Sequence, residues 1–354
     1  MSELSETHVG SGKVMTVLGP IAAEDLGVTL MHEHILNDCT CWWHKPKEKE
    51  RRFLADSPVT IDLIGELRMD PFVNLDNVKL NDERLAIEEL KPVAALGGRT
   101  VVDPTCGTIG RDPKALQRIS QGAGLNIVMG AGFYLETSMP PEVSGMSKTD
   151  IADRIVGEAL EGVDGTGAKV GIIGEIGVSA DFTENERKSL RGAAIAQKRT
   201  GLPLMVHLPG WFRRAGEVLD MVDEEGGDLR HTVLCHMNPS WYDTDYQLGL
   251  AARGAFLEYD MVGMDFWYAD QGVQCPSDDE NARGIKALID AGFGDRVLVS
   301  QDVFLKIMLT NYGGFGYAYI QKHFLPRLKR HGVTDPQIQA LMIDNPRRVF
   351  FAGA

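Results

Sequence analysis

The sequence predicts a closed (β/α)8 barrel, the TIM-barrel architecture, and three observations carry that prediction. Eight short apolar or β-branched runs recur along the chain, most of them followed by a segment patterned as a helix. Such alternation calls for a parallel sheet with crossover helices, and eight repeats suit a closed barrel better than the alternative, an open α/β sheet. The length of 354 residues fits one barrel with insertions, so residues 1–354 are expected to form a single domain.

In chain order, residues 14–29 read as an N-terminal β-hairpin, because Gly19-Pro20 breaks the run in its middle and Gly27 stands near its end. Residues 30–36 form the first expected barrel strand. Residues 38–81 are a long mixed insertion after it, of the kind that is usually functional or disordered. The remaining strands are expected at 100–104, 126–130, 170–178, 203–208, 232–236, 255–259 and 297–300. Helices fall between them, at 82–95, 112–120, 147–161, 183–199, 212–225, 246–253 and 279–291. Thr183 with Glu186 supplies a capping box at the start of one of these helices.

Composition narrows the function classes. Lys and Arg number 36 against 50 Asp and Glu, a formal net charge of −14 that repels nucleic acid and anionic membrane surfaces alike. A 44% hydrophobic content is too apolar for disorder and supports a sizeable core. No run is long enough to span a bilayer, and residues 1–13 are polar with no apolar signal core, so a cytoplasmic location is expected. The five cysteines lack CxxC spacing and read as reduced thiols. Gly130-Ala-Gly132 lacks the third glycine of a dinucleotide loop, which disfavours NAD.

The chemistry starts at Met31-His-Glu-His34. On a strand His32 and His34 project to one side while Glu33 points away, and Cα atoms about 6.6 Å apart on one face can share a metal. Alone, a His-x-His pair is weak evidence. Its company strengthens it: Glu175, His207, His236 and Asp302 lie in or at the C-terminal ends of later strands, at spacings of one or two βα units. In a parallel barrel those ends converge on one mouth. Four imidazoles and two carboxylates buried there without partners would cost several kcal/mol per group, roughly, which divalent cations would remove. Six donors exceed the needs of one tetrahedral ion and suggest two, with zinc the expected metal. His8, His44, His231, His323 and His331 lack such positions and read as surface residues. Cys235 precedes His236 and is expected to turn away from the metals by alternation.

These motifs, with Gly19-Pro20, Gly174-Glu-Ile-Gly177, Val206-His207, Cys235-His236, Ser300-Gln-Asp302 and Asp344-Asn-Pro346, resemble the amidohydrolase superfamily and within it the phosphotriesterase family. The resemblance implies His32, His34, Glu175 and Asp302 on a more buried metal, and Glu175, His207 and His236 on a more exposed one. It also implies Asp302 as proton shuttle, and a homodimer. Many relatives bridge the metals with a carboxylated lysine on strand four, whereas this chain has Glu175 there. The nearest lysine, Lys169, lies about 20 Å away along an extended strand. The glutamate, together with Asn311-Tyr-Gly-Gly-Phe-Gly316, is similar to the phosphotriesterase-related proteins, including those named for binding resiniferatoxin.

The reaction class these features imply is metal-assisted hydrolysis, in which a metal-bridging hydroxide attacks an ester, lactone, amide or phosphotriester of a small organic substrate. The ligand set cannot choose among those bonds. Loop aromatics after strand ends offer an apolar wall: Trp42, Trp43, Tyr134, Trp211, Trp241, Phe266, Trp267, Tyr268 and Tyr312. Tyr134, Trp267 and Arg213 are the substrate-contact candidates, Arg213 with Arg214 as partners for a substrate carboxylate or sulfonate, against the alternative that the two arginines are a solvated pair. A metal-stabilised binder of small hydrophobic ligands is the competing class. A complete set of six donors including Asp302 argues against it, since a binder has little need of a proton shuttle.

Overall fold

The computed structural model describes residues 12–351. His8 lies outside them. Eight parallel strands make up the barrel: β1 (Val28–Leu30), β2 (Gly98–Asp103), β3 (Asn126–Ala131), β4 (Ile172–Gly177), β5 (Leu204–His207), β6 (Thr232–Leu234), β7 (Phe256–Tyr259) and β8 (Val297–Val299). They pair strictly in sequence order. The helices that cross between successive strands occupy the expected segments: α1 (Glu83–Ala95), α2 (Pro113–Ala123), α3 (Lys148–Leu160), α4 (Glu184–Thr200), α5 (Ala215–Glu224), α6 (Thr244–Ala252) and α7 (Asp278–Asp290). Thr183 caps α4, with Glu186 returning the bond to close the capping box.

Two apolar layers follow from strand alternation. Met31, Val102, Val128, Ile172, Met205, Val233, Phe256 and Leu298 fill the barrel interior, one from each strand or its immediate continuation. Neighbouring residues such as Val101, Ile127, Ile173, Leu204, Leu234 and Leu257 point outward and pack under the helices. The N-terminal hairpin joins Lys13–Thr16 to Gly19–Ala22 and ends earlier than expected, since Val28 and Thr29 already belong to β1. Gly19 holds φ 117° in its turn, a conformation that only glycine adopts without strain.

The first barrel strand is shorter than the expected 30–36, and its side chains explain why. Beyond Leu30, the His32 N–H donates to the Ser300 hydroxyl at 2.8 Å rather than to a backbone carbonyl, so the regular ladder stops. Closure continues without it: Glu33 N–H donates to Val102 O, His34 N–H to Val303 O and Asp302 N–H to His32 O, each at 3.0 Å. Glu33 points away from the two histidines, as alternation requires. Its carboxylate accepts from the Ser300 hydroxyl, Gln301 N–H and Val303 N–H, each at 2.9 Å, stitching the first strand to the last. Glu33→Ala leaves two fully buried N–H groups without acceptors, at about 1–3 kcal/mol each. The variant should therefore unfold several degrees lower in a thermal melt, and an unchanged melting temperature would refute that role.

The insertion after β1 is ordered. Its base is pinched where Asn37–Asp38 pairs antiparallel with Lys79–Leu80, and short helical turns carry the chain between. His231 departs from the surface reading: it is buried beside β6, with its ring Nδ1 2.8 Å from Val349 O. Among the described residues, no helix is long and apolar enough to cross a membrane.

Candidate metal centre

All six donor residues come to the C-terminal mouth of the barrel, and three local departures from strand geometry bring them there. Ile172 faces the barrel interior and Ile173 faces the helices, so simple alternation would send Glu175 outward. Gly174 breaks that alternation with φ 129°, in a position where any Cβ would lie 2.3 Å from the Met205 carbonyl oxygen. The Gly-Glu pair is thus a backbone requirement. Past β6, Cys235 lies inside the barrel and not turned away as alternation suggested. The reason is His236, whose left-handed backbone (φ 58°) returns its ring to the mouth. Asp302 shares that conformation at φ 50°, which is rare for a non-glycine residue and concentrates at functional sites.

Glu175 stands at the middle of the cluster. Its Oε1 lies 3.2 Å from His34 Nε2, while Oε2 lies 3.3 Å from His207 Nδ1, 3.5 Å from His32 Nε2 and 3.7 Å from His236 Nε2. Asp302 Oδ1 sits 3.6 Å from His32 Nε2 and 3.4 Å from His34 Nε2. Two groups of donors result, His32 with His34 and Asp302, and Glu175 with His207 and His236. The first pair of histidines is the deeper, at 0% and 2% exposure against 9% and 7% for His207 and His236.

These residues fit divalent cations. Donor atoms about 2.0–2.2 Å from a tetrahedral ion lie roughly 3.3–3.6 Å from one another, close to the spacings observed. His32 Nε2 and Glu175 Oε2 are buried without a hydrogen-bond partner, which is costly unless an ion claims them. Burial opposes charge on Glu175, yet the His32, His207 and His236 imidazoles hold its carboxyl well below the usual carboxylate range. Burial likewise opposes protonation of His34 and His236, but Asp302 and Glu175 push His34 up to about 9, and Asp260 pushes His236 up to about 10. Protons would therefore compete with a cation for the same lone pairs.

Behind the donors stand residues that sequence reasoning passed over. His34 Nδ1 faces the Thr105 hydroxyl at 2.7 Å, and Asp103 accepts from Thr105 N–H. Glu258 and Asp260, at the end of β7, face His32 Nδ1 at 3.2 and 3.4 Å. Two carboxylates two residues apart in an otherwise apolar strand were the signal available for that pair.

Aromatic rings enclose the mouth. Trp42 stacks on Phe72 at 5.4 Å, Phe72 on Tyr268 at 5.1 Å, and Trp211 meets Tyr268 edge-on at 5.7 Å. Phe72, from the insertion, carried no periodic signal and was missed. Tyr134 reaches the centre itself, with its hydroxyl 3.3 Å from His207 Nδ1 and accepting from the Trp42 indole N–H at 3.0 Å. Trp267 lies partly exposed in a short hairpin, and its neighbour Tyr268 is the ring that joins the stack. Arg213 is engaged elsewhere, donating to Asp243 at 3.0 Å and lying over the Tyr246 ring at 4.9 Å.

Comparison with known proteins places this arrangement. The model of the phosphotriesterase family matches residues 12–350. An N-acetyltaurine hydrolase of Tetraodon nigroviridis is 37% identical over 341 residues, covering 95% of this chain and 97% of that protein. A crystal structure of a resiniferatoxin-binding protein from Rhodobacter sphaeroides is 65% identical, covers 99% of this chain and 98% of that one, and superposes with a TM-score of 0.98. A lactonase from Listeria monocytogenes superposes with a TM-score of 0.77 at 25% identity, covering 96% of this chain and 98% of that one. The chain belongs to the phosphotriesterase family and is a hydrolase.

Proposed function

We propose that this member of the phosphotriesterase family is a binuclear, metal-dependent hydrolase that cleaves the acyl bond of a small, largely apolar substrate, with amides the first class to test. The observation that carries the reading is the meeting of two three-residue donor groups at Glu175. His32, His34 and Asp302 would hold one ion, His207 and His236 the other, and Glu175 would touch both. Two such ions, zinc being the expected pair, would supply a water acidic enough to ionise near neutral pH and an electrophile for the scissile carbonyl. Asp302 then accepts the proton of the attacking water and returns it to the leaving group. Tyr134, held by Trp42, would meet the substrate beside His207, and the ring stack of Trp42, Phe72, Tyr268 and Trp211 would exclude water and receive the apolar part. Trp267 would shape that wall through its hairpin, and Arg213 would act at its rim. The choice of amides leans on relatives named N-acetyltaurine hydrolase that match along nearly their whole length. Five free thiols, four of them buried, suit a reducing cytoplasm, and a homodimer without nucleic-acid or membrane partners completes the proposal.

A second reading, a binder of apolar ligands with little turnover, is favoured by the name of the 65% identical protein and by the same aromatic enclosure. One experiment separates the two. Purified protein is assayed on N-acetyl amino acids and N-acetyltaurine, lactones and phosphotriesters, before and after chelation. Chelator-sensitive turnover of at least one acyl class is expected. Tight apolar ligand binding with no turnover on any class would favour the binder.

Metal content gives an independent check. Reconstituted protein is expected to hold two equivalents, and a plateau at one or none would sink the binuclear reading. Because the carboxylates raise His34 and His236, each proton displaced should strengthen cation binding about tenfold per pH unit below those values. Zinc affinity measured by competition should therefore climb steeply from pH 6 to pH 8. A flat profile would show that protons do not contend for these donors.

A further inference from the structure

We propose that Asp260, one residue past β7, is a positioning residue that fixes one imidazole of each donor group and thereby couples the two cation positions. The inference rests on the binuclear reading above. A neutral imidazole has one N–H and one lone pair, and an acceptor-only carboxylate at Nδ1 fixes the proton there and turns the Nε2 lone pair to the centre. Asp260 divides its oxygens between two rings: Oδ1 lies 3.0 Å from His236 Nδ1, and Oδ2 lies 3.4 Å from His32 Nδ1. Both oxygens also accept the backbone N–H of His236, at 3.1 and 2.9 Å, holding the left-handed residue that carries that ring.

The other members of the cluster set this role apart. His34 turns Nδ1 to the Thr105 hydroxyl, and His207 presents Nδ1 itself to Glu175. Glu258, fully buried two residues earlier, reaches one ring of the centre, His32, and otherwise meets the Cys235 thiol. Asp260 is thus the one carboxylate among the described residues that reaches behind a ring from each group. It is fully buried and held by both, so a shift of either ring moves the oxygen that orients the other.

The test compares metal-free wild type, Asp260→Asn and Glu258→Gln by zinc titration against a chromophoric chelator. Asparagine keeps the shape but only one acceptor oxygen, so it can no longer serve both rings. Both zinc-binding steps are expected to weaken about 10- to 100-fold in Asp260→Asn, the scale seen for partners behind metal ligands, whereas Glu258→Gln weakens one step only. Unchanged affinities in Asp260→Asn, or weakening of a single step, would overturn the proposal. A second measurement needs no variant: nitrogen-15 histidine spectra of zinc-loaded wild type should show His32 and His236 protonated at Nδ1, and an Nε2-protonated form of either ring would overturn it. Wild type that binds fewer than two equivalents would instead bring down the binuclear reading and this inference with it, an outcome read before any variant is made.

Discussion

Glu175→Gln is expected to lose bound metal and activity together. The residue is 2% exposed, and its two oxygens face four imidazole nitrogens at 3.2 to 3.7 Å. Glutamine preserves volume and one oxygen but turns an amide N–H2 toward atoms that must present lone pairs. It also removes the carboxylate at which the two donor groups meet, leaving Asp302 as the only carboxylate within them. In a low-dielectric barrel mouth, that uncompensated charge costs far more than the same change would at the surface. The loss of affinity should exceed the roughly 10- to 100-fold expected of a partner behind the ligands. Metal analysis after desalting should find well under two equivalents, with turnover falling in proportion. In the proposed centre the bridge is a genetically encoded carboxylate, so reconstitution should proceed equally in bicarbonate-free and bicarbonate-rich buffer. Full turnover with two metals in Glu175→Gln, or activity that climbs with bicarbonate, would show that another group joins the ions.

Much of this centre was legible in the sequence because barrel topology converts linear spacing into convergence. His32, His34, Glu175, His207, His236 and Asp302 each sit at the end of a strand run, and any closed parallel barrel gathers such ends at one mouth. What alternation alone could not supply were the backbone breaks. Counted from Val233, parity keeps Cys235 inside the barrel and sends His236 outward, as it does Glu175, and the positive φ at His236 and Gly174 returns both donors to the mouth. Those torsions depend on close contacts such as Gly174 with Met205, which no local pattern records. The residues behind the ligands were hidden for a similar reason. Asp260 and Glu258 lie in and just past a strand whose run reads as plain core, and their roles appear only when the ends of β6, β7 and β1 meet at one barrel mouth. The aromatic enclosure was half visible. Trp42, Tyr134, Trp211 and Tyr268 follow strand ends, whereas Phe72 arrives through an insertion with no regular period.

Asp302→Asn should separate metal binding from proton transfer. Its Oδ1 faces His32 and His34 at 3.6 and 3.4 Å, and its Oδ2 lies 3.9 Å from His236 Nδ1. Asparagine retains an oxygen that can replace Oδ1 as a donor, so much of the metal should remain. It cannot accept a proton from water, nor deliver one to a departing group. The expected fall in kcat is about 10²- to 10⁴-fold, the usual contribution of a placed acid/base group, with a much smaller change in KM. The nature of the substrate sharpens the test. An amide nitrogen must be protonated to depart, whereas an activated aryl ester leaves readily as its anion. The variant should therefore lose far more activity on amides than on aryl esters carrying the same acyl group. An equal loss on both, with two metals still bound, would mean that Asp302 serves as a ligand alone and that the leaving group takes its proton from elsewhere.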